Sequence, residues 1–340
     1  MSKFAACLAC AALAAGCSSV RTVKAPTPDF PVFGPYMTKD GNMLRNPLAW
    51  SQPMQTPSVV WNPETKNYTV ARAAFRGSVT LFRHYLLSEA LLASSTDRLA
   101  LKGELTSPEI RRGSDGVWRM YATMRPEGSE TATLAVLRSN TSDSWSDYAF
   151  ECWLQKDVAS KDPTVFAYRG RTYLACAEGG ALVIRELVSD VKLGVAACRV
   201  PLADLFGNPF AVVNPAGRLF IGYTAGTPMT DDASLRLVEL DGADPLAASA
   251  WKSVPGAYLS KGNGFFGPCE ASTFPSPDGR ETWLAYQAFE HDRDGQKVWP
   301  VGCLEKIEFG ADGRPKPFVP APIDAWRKCP SGEPPVTVTR

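Results

Sequence analysis

Short runs of alternating or continuous apolar residues dominate this chain of 340 residues. Most runs are five to seven residues long and are bounded by Gly, Asp, Asn or Ser, which is typical of short antiparallel strands. Only residues 85–94 carry a pattern compatible with one or two helical turns. The sequence therefore predicts an all-β fold, with representative strands at Val117–Thr123, Arg171–Ala177, Arg218–Tyr223 and Thr282–Ala288.

A repeat of about 50 residues becomes visible when these strands are aligned. Five segments each contain a proline, an extended run, a turn and a strand with an aromatic residue. The prolines are 51, 55, 46 and 59 residues apart, at Pro57, Pro108, Pro163, Pro209 and Pro268. With roughly four short strands in each unit, this recurrence predicts a five-bladed β-propeller. A β-sandwich with fortuitous spacing is the alternative.

The repeat also predicts which side chains converge. In a propeller the innermost strand of each blade starts near the central axis, so residues beside the repeated prolines should meet there. That set is Thr56, Glu109, Asp162, Gly207 or Asn208, and Glu270. Carboxylates around a cleft suit glycoside hydrolysis, in which one acid protonates the leaving oxygen and another activates water. They also suit a cation or a hydroxyl-rich ligand, or simple hydrogen bonding to the blade backbones.

The N-terminus has the pattern of an export signal. Lys3 supplies a positive start, the short apolar stretch 4–15 follows, and Cys17 comes after small residues. This resembles a bacterial lipoprotein signal in which Cys17 is lipidated, although Ala14 stands where the pattern prefers Leu. A plain secretory signal is the alternative. Both alternatives predict an exported protein, and the first predicts a membrane-anchored lipoprotein.

The segments after the signal divide the chain further. We expect a signal peptide at residues 1–16, a Pro- and Thr-rich tether at 17–40, the propeller at 41–325 and a C-terminal tail at 326–340. A further six cysteines follow Cys17, and six cysteines allow 15 pairings, of which the sequence selects none.

The composition excludes several functions. The 36 Lys and Arg residues nearly balance the 35 Asp and Glu residues, and the absence of a basic run argues against nucleic-acid binding. The two histidines, His84 and His291, provide little material for a histidine-rich metal site. We expect a monomer that contacts the membrane only through its lipid anchor.

Several motifs resemble those of glycoside hydrolase family 43, in the family's order, over roughly residues 46–320. The segment Gly267–Gly279 and the Trp283–Ala288 strand are similar to its fifth-blade GPGHxSF, SPDG and Tyr-His-Ala elements. The other matching segments are Ser107–Trp118, Asp162–Phe166 and Asp244–Ser253. The resemblance implies a five-bladed propeller with an inverting mechanism, acting on arabinose- and xylose-containing plant glycans.

The same resemblance implies that the standard catalytic groups are missing. The family's base, pKa-tuning and acid positions fall on Thr56, Asp162 and Gly207. Its two characteristic histidines fall on Glu270 and Gln287. General acid–base assistance contributes about 10²–10⁴-fold to the rate, and neither Thr nor Gly can supply it. The family reaction is therefore predicted to be lost.

Three functions remain as hypotheses. The first is a glycan-binding pseudoenzyme whose ligand contacts come from Glu109, Thr56, Asn208, Gln287, Phe265, Phe266 and Trp50. The second is a glycosidase with relocated chemistry, in which Glu270 and Asp162, with Glu109, form a new acid/base set. The third is a structural component of a larger assembly with a vestigial pocket. A calcium ion on the propeller axis is the one cofactor considered.

Overall fold

Five antiparallel sheets surround a common axis in the computed structural model of the protein. The structure describes residues 21–24, 37–38, 41–48, 55–74, 77–84, 86–87, 94–99, 103–156, 158–291, 294–298, 300–323, 325–334 and 336–339. Each sheet is a blade whose strands follow one another in chain order from the inside outwards. The five-bladed β-propeller predicted from the proline repeat is therefore confirmed. The signal sequence, Cys17 and Trp50 lie outside the described residues.

Four blades contain four strands each. Blade 1 is built from Gln55–Asn62, Asn67–Ala74, Ser78–His84 and Ser94–Leu99. Blade 2 is built from Gly103–Arg112, Trp118–Pro126, Thr133–Ser139 and Tyr148–Gln155. Blade 3 is built from Lys161–Tyr168, Arg171–Glu178, Ala181–Ser189 and Lys192–Pro201. Blade 4 is built from Leu205–Val213, Leu219–Ala225, Ser234–Leu240 and Trp251–Ser253.

Blade 5 and the chain ends complete the fold. Blade 5 contains Phe266–Pro275, Thr282–Phe289 and Val301–Lys306. A small sheet next to it combines Met37–Thr38, Gly41–Leu44 and Arg327–Lys328. A separate parallel pair joins Arg21–Lys24 to Val336–Thr339. Residues 326–340, predicted as a tail, thus contribute strands to two sheets.

The hydrophobic core is divided among the interfaces between blades. In the part of the chain that the structure describes, each pair of neighbouring blades encloses one cluster of buried apolar side chains. The middle strands are buried on both faces, as in Leu219–Ala225, where every residue is buried. This explains why many strands read as continuous apolar runs rather than alternating ones, since both faces of a blade pack against neighbours.

The ring is closed by the segment that precedes blade 1. Leu48 N–H donates to the Gly302 carbonyl at 2.9 Å, and Leu304 N–H donates to Asn46 Oδ1 at 2.9 Å. The Asn46 amide also donates to Glu305 Oε1 at 2.8 Å. Asn46 is fully buried, and Leu48 packs in the cluster between blades 5 and 1. The segment at residues 46–48 therefore covers the outer edge of the last blade.

Candidate functional site

A strained residue recurs at the same place in all five inner strands. Each has a positive φ, and each lies at an irregularity in the pairing between the inner strand and its neighbour. These residues are Thr56, Ser107, Asp162, Asn208 and Glu270, with φ of 45°, 50°, 60°, 50° and 51°. A left-handed backbone costs a non-glycine residue roughly 1–3 kcal/mol, and such strain clusters at functional sites. The axial ends of the inner strands are thus the candidate site.

The sequence predicted four of these five positions. Thr56, Asp162, Asn208 and Glu270 line one pocket at the axis, as expected. In blade 2, however, the equivalent residue is Ser107 rather than Glu109. Ser107 directly precedes Pro108, just as Thr56 precedes Pro57. This equivalent position in the repeat is the signal that could have identified Ser107.

Glu109 still borders the pocket, but its charge is already paired. Its Oε1 accepts a hydrogen bond from Arg111 Nε at 2.7 Å. Burial raises the pKa of the Glu109 carboxyl, while the Arg111 charge opposes this effect. Glu109 is therefore a buried partner of a nearby guanidinium as well as a pocket residue.

Asp162 connects three blades. Its Oδ1 accepts a hydrogen bond from Ser107 Oγ of blade 2 at 2.5 Å, and its Oδ2 accepts one from the Asn208 N–H of blade 4 at 3.1 Å. Its own N–H donates to Thr123 Oγ1 at 2.7 Å, and Lys161 Nζ lies 3.6 Å from Oδ2. Both carboxylate oxygens are therefore occupied by contacts that hold the axis together.

The absence of a side chain at Gly207 makes room for the carboxylate of Asp162. A Cβ atom at position 207 would lie 2.1 Å from Asp162 Oδ2, far inside van der Waals contact, and the φ of Gly207 is 156°. The position that the resemblance assigns to the catalytic acid therefore has no room for a side chain while Asp162 keeps its place.

Glu270 connects the last blade to the first. Its Oε2 accepts a hydrogen bond from the Thr56 N–H at 3.0 Å, and its own N–H donates to Thr224 Oγ1 at 2.9 Å. Desolvation, with a smaller contribution from the negative charge of Asp162, raises the pKa of the Glu270 carboxyl to about 7. The Thr56 N–H and Lys161 act in the opposite direction. Glu270 can therefore hold or release a proton near neutral pH.

Three of the residues that line the pocket each carry a buried polar atom without a hydrogen-bond partner. These atoms are Thr56 Oγ1, Asn208 Oδ1 and Ser272 Oγ. The cavity has a volume of about 20 Å³, which is enough for a group the size of a water molecule. Because a buried polar atom without a partner is costly, these three atoms indicate that water or a ligand hydroxyl group binds here.

Two of the residues predicted to bind a ligand lie elsewhere. Phe265 is 0% exposed and packs with Phe210 and Tyr258 in the core between blades 4 and 5, so it cannot stack on a sugar. Gln287 is 1% exposed, and its Nε2 donates to Cys269 Sγ at 3.4 Å. An apolar pair such as Phe265-Phe266 does not reveal which ring faces inwards, and it is Phe266 that remains partly exposed.

The axial residues do not fit a calcium site. Calcium takes six to eight oxygen ligands, whereas the described part of the chain has no group of three or more His, Cys, Asp or Glu residues that could hold a metal ion. Asp162 and Glu270 instead accept hydrogen bonds from the protein. Within the described ranges no disulfide joins the six cysteines, and no helix is long and apolar enough to cross a membrane.

Comparisons with known proteins identify the fold. A scan against protein-family models and a search of curated proteins give no match. Among solved structures, the chain is similar to an α-L-arabinofuranosidase from Lactobacillus brevis, with a TM-score of 0.70 and 16% identity over 85% of this chain and 100% of that one. A thermostable family-43 glycoside hydrolase matches with a TM-score of 0.69 and 17% identity over 85% of this chain and 99% of that one.

An endo-arabinase from Bacteroides thetaiotaomicron is also similar, with a TM-score of 0.61 and 12% identity over 79% of this chain and 98% of that one. The predicted resemblance to family 43 is therefore confirmed for the fold. At these identities the likeness concerns the path of the backbone and leaves the chemistry of the site to be argued from its residues.

A substitution at Gly207 tests whether a side chain there displaces Asp162. Gly207→Ala is expected to lower the free energy of unfolding by about 2–4 kcal/mol, because the new methyl group must displace Asp162 from its two partners. Urea denaturation measures the loss. Gly217→Ala is the matched control, since Gly217 also has a positive φ but a Cβ there meets nothing within 4 Å, and it should cost only about 1 kcal/mol. Equal losses in the two variants would contradict this account.

The pKa of Glu270 predicts a pH dependence of stability. A carboxyl group whose pKa is raised by folding favours the folded state when protonated, and that contribution is lost as pH rises from about 4.5 to about 7. Relative to Glu270→Gln, the wild type should therefore lose up to about 3 kcal/mol of stability across this range. Urea titrations between pH 4 and pH 8 measure the difference. Glu127→Gln, which removes a carboxyl group at an exposed site, is the control.

Proposed function

We propose that this protein binds arabinose- or xylose-containing glycans at the propeller axis without the inverting hydrolysis of family 43. The fold supports a carbohydrate ligand, because the similar structures include an arabinofuranosidase and an endo-arabinase. Gly207 carries the proposal that hydrolysis is lost, because it stands at the acid position without a carboxyl group, and a side chain there would have to displace Asp162.

The chemistry of inverting hydrolysis supports the same conclusion. That reaction needs two carboxyl groups about 6.5–9.5 Å apart, one on each face of the sugar ring. Thr56 at the base position cannot deprotonate water near neutral pH, and Gly207 has no proton to donate. Asp162 is engaged by Ser107 and Asn208. The standard pair of proton-transfer groups is therefore missing from the residues that the resemblance assigns to it.

The unpartnered atoms of the pocket suit a sugar hydroxyl. A hydroxyl group both donates and accepts hydrogen bonds, so ligand hydroxyl groups suit the side-chain amide oxygen of Asn208 and the hydroxyls of Thr56 and Ser272. The carboxyl groups of Asp162 and Glu270 at the same place disfavour an anion. A hydroxyl group of a neutral polyhydroxylated ligand therefore suits this pocket best.

A glycosidase with relocated chemistry is the second candidate, and Glu270 supports it. A buried carboxyl with a pKa of about 7 is suited to act as a general acid near neutral pH. Its partner would be Asp162 or Glu109, both of which line the pocket. In this candidate the proton donor is contributed by blade 5 rather than blade 4.

Binding and turnover measured on the same preparation separate the two candidates. The wild type should bind arabinan or arabinoxylan by calorimetry and leave nitrophenyl arabinoside and xyloside intact. Thr56→Val, which keeps the shape but removes the unpartnered hydroxyl, should weaken binding by roughly fivefold. Thr65→Val in an exposed turn is the control and should bind like the wild type. Turnover by the wild type that Glu270→Gln abolishes would establish the second candidate. A wild type that shows no binding and no turnover would refute both candidates.

Export and membrane attachment through Cys17 are a further part of the proposal. They are supported by the positive Lys3, the apolar stretch after it and the small residues before Cys17. Mass spectrometry of the mature protein from bacterial membranes should find a lipidated Cys17 as its first residue. Cys17→Ala should leave the protein without lipid. A mature wild-type chain that starts elsewhere and carries no lipid would refute the anchor.

A further inference from the structure

A second groove opens beside the axial pocket, at the same end of the propeller. It has a volume of about 340 Å³ and lies over blade 3, bordered by residues 130–132, 159–161, 177–180 and 205–206. These are the turns and strand starts at the end where the inner strands begin, so the groove runs outwards from the axis. Its volume lies within the range of about 300–1,000 Å³ that is usual for small-molecule sites.

An aromatic ring and a lysine link this groove to the axis. Phe206 is 38% exposed, which is unusual for a phenylalanine, and it directly precedes Gly207 of the axial pocket. Lys161 Nζ lies 3.9 Å from the centre of the Phe206 ring and 3.6 Å from Asp162 Oδ2. One lysine side chain therefore contacts both the axial carboxylate and the exposed ring, so the groove lies next to the axial pocket.

The groove carries no net charge. Arg125 and Lys161 contribute two positive charges, and Glu130 and Glu178 contribute two negative ones. Glu178 is already bound by Arg185 at 3.1 Å and by Arg199 at 2.5 Å. A polar but neutral groove with one exposed ring does not select an anion or a cation. It suits a ligand with many hydroxyl groups and an apolar C–H face, which is the character of a neutral sugar.

Small residues keep the groove open. Gly179 and Gly180 form its turn in blade 3, both with positive φ, and a Cβ at Gly180 would meet nothing within 4 Å. The exposed Ala159 lies on the opposite border and adds only a methyl group. A larger side chain at Ala159 would therefore occupy the groove without disturbing the packing between blades.

We propose that this groove binds the part of a neutral oligosaccharide that extends beyond the axial pocket, with one sugar ring packed on Phe206. This inference rests on the proposed glycan binding at the axis, and it specifies that the ligand is a chain of several sugars rather than a single terminal sugar. The axial pocket accepts a hydroxyl group, and the groove supplies the area that affinity requires.

The dependence of affinity on chain length tests the groove. Calorimetry with arabino- and xylo-oligosaccharides of two to six sugars should show tighter binding of the longer members to the wild type. Phe206→Ala and Ala159→Trp should each weaken hexasaccharide binding by roughly five- to tenfold, and should change disaccharide binding by less than about twofold. Phe150→Ala is the control, because Phe150 is 41% exposed on the outer strand of blade 2, and it should bind every length like the wild type.

The possible failures are distinguishable. A wild type that binds none of these oligosaccharides and none of the polymers would overturn the proposed function, and the groove assignment with it. A wild type that binds the hexasaccharide, with an affinity that neither Phe206→Ala nor Ala159→Trp changes, would overturn the groove assignment alone. A selective loss of affinity for long chains in both variants supports it.

Discussion

The hydrogen bonds that Asp162 accepts across the axis are the constraint on which the site depends. Inner strands of a propeller converge, and their polar ends need partners that the strands themselves do not supply. Asp162 meets this need for blades 2, 3 and 4 by binding Ser107 Oγ and the Asn208 N–H. Hydrogen bonds to a charged group contribute about 1.5–3 kcal/mol each, so this single carboxylate is a large part of the axial stability.

The hydrogen bonds of Asp162 also limit the chemical role that this carboxylate can have at the site. A carboxylate that holds three blades cannot also move freely against a substrate, and Gly207 must remain without a side chain for Asp162 to stay in place. Glu270 plays the corresponding part between blades 5 and 1 with one fewer hydrogen bond from the protein and a raised pKa. The propeller thus has one axial acid that joins three blades and another whose pKa is raised to about 7.

Much of this arrangement was predictable, because a proline repeat marks equivalent positions whatever side chain accompanies it. Thr56, Asp162 and Asn208 each precede a repeated proline, and the structure places all three at the axis. Ser107 was missed because Glu109 was favoured for its carboxylate, although Ser107 has the equivalent place in the repeat. In blade 5 the strained residue is Glu270, which no proline follows, so the repeat is irregular there.

Other long-range contacts, outside the proline repeat, left no trace in the sequence. Phe265 lies in the core and Phe266 does not, which depends on how the chain enters blade 5 rather than on local pattern. The pairing of Asn46 with Leu304 joins residues 258 positions apart, and no local signal announces such a partner.

That pairing has a consequence for how the protein is made. The residues that seal the ring are synthesised before the strand they cover, and Asn46 and Leu304 are 258 positions apart. Asn46 and Leu48 can therefore make these contacts only after the outer strand of blade 5 has been synthesised. Bringing together segments that are distant in the sequence lowers the chain entropy before the new contacts contribute favourable free energy. Ring closure therefore belongs to the late and slow part of folding.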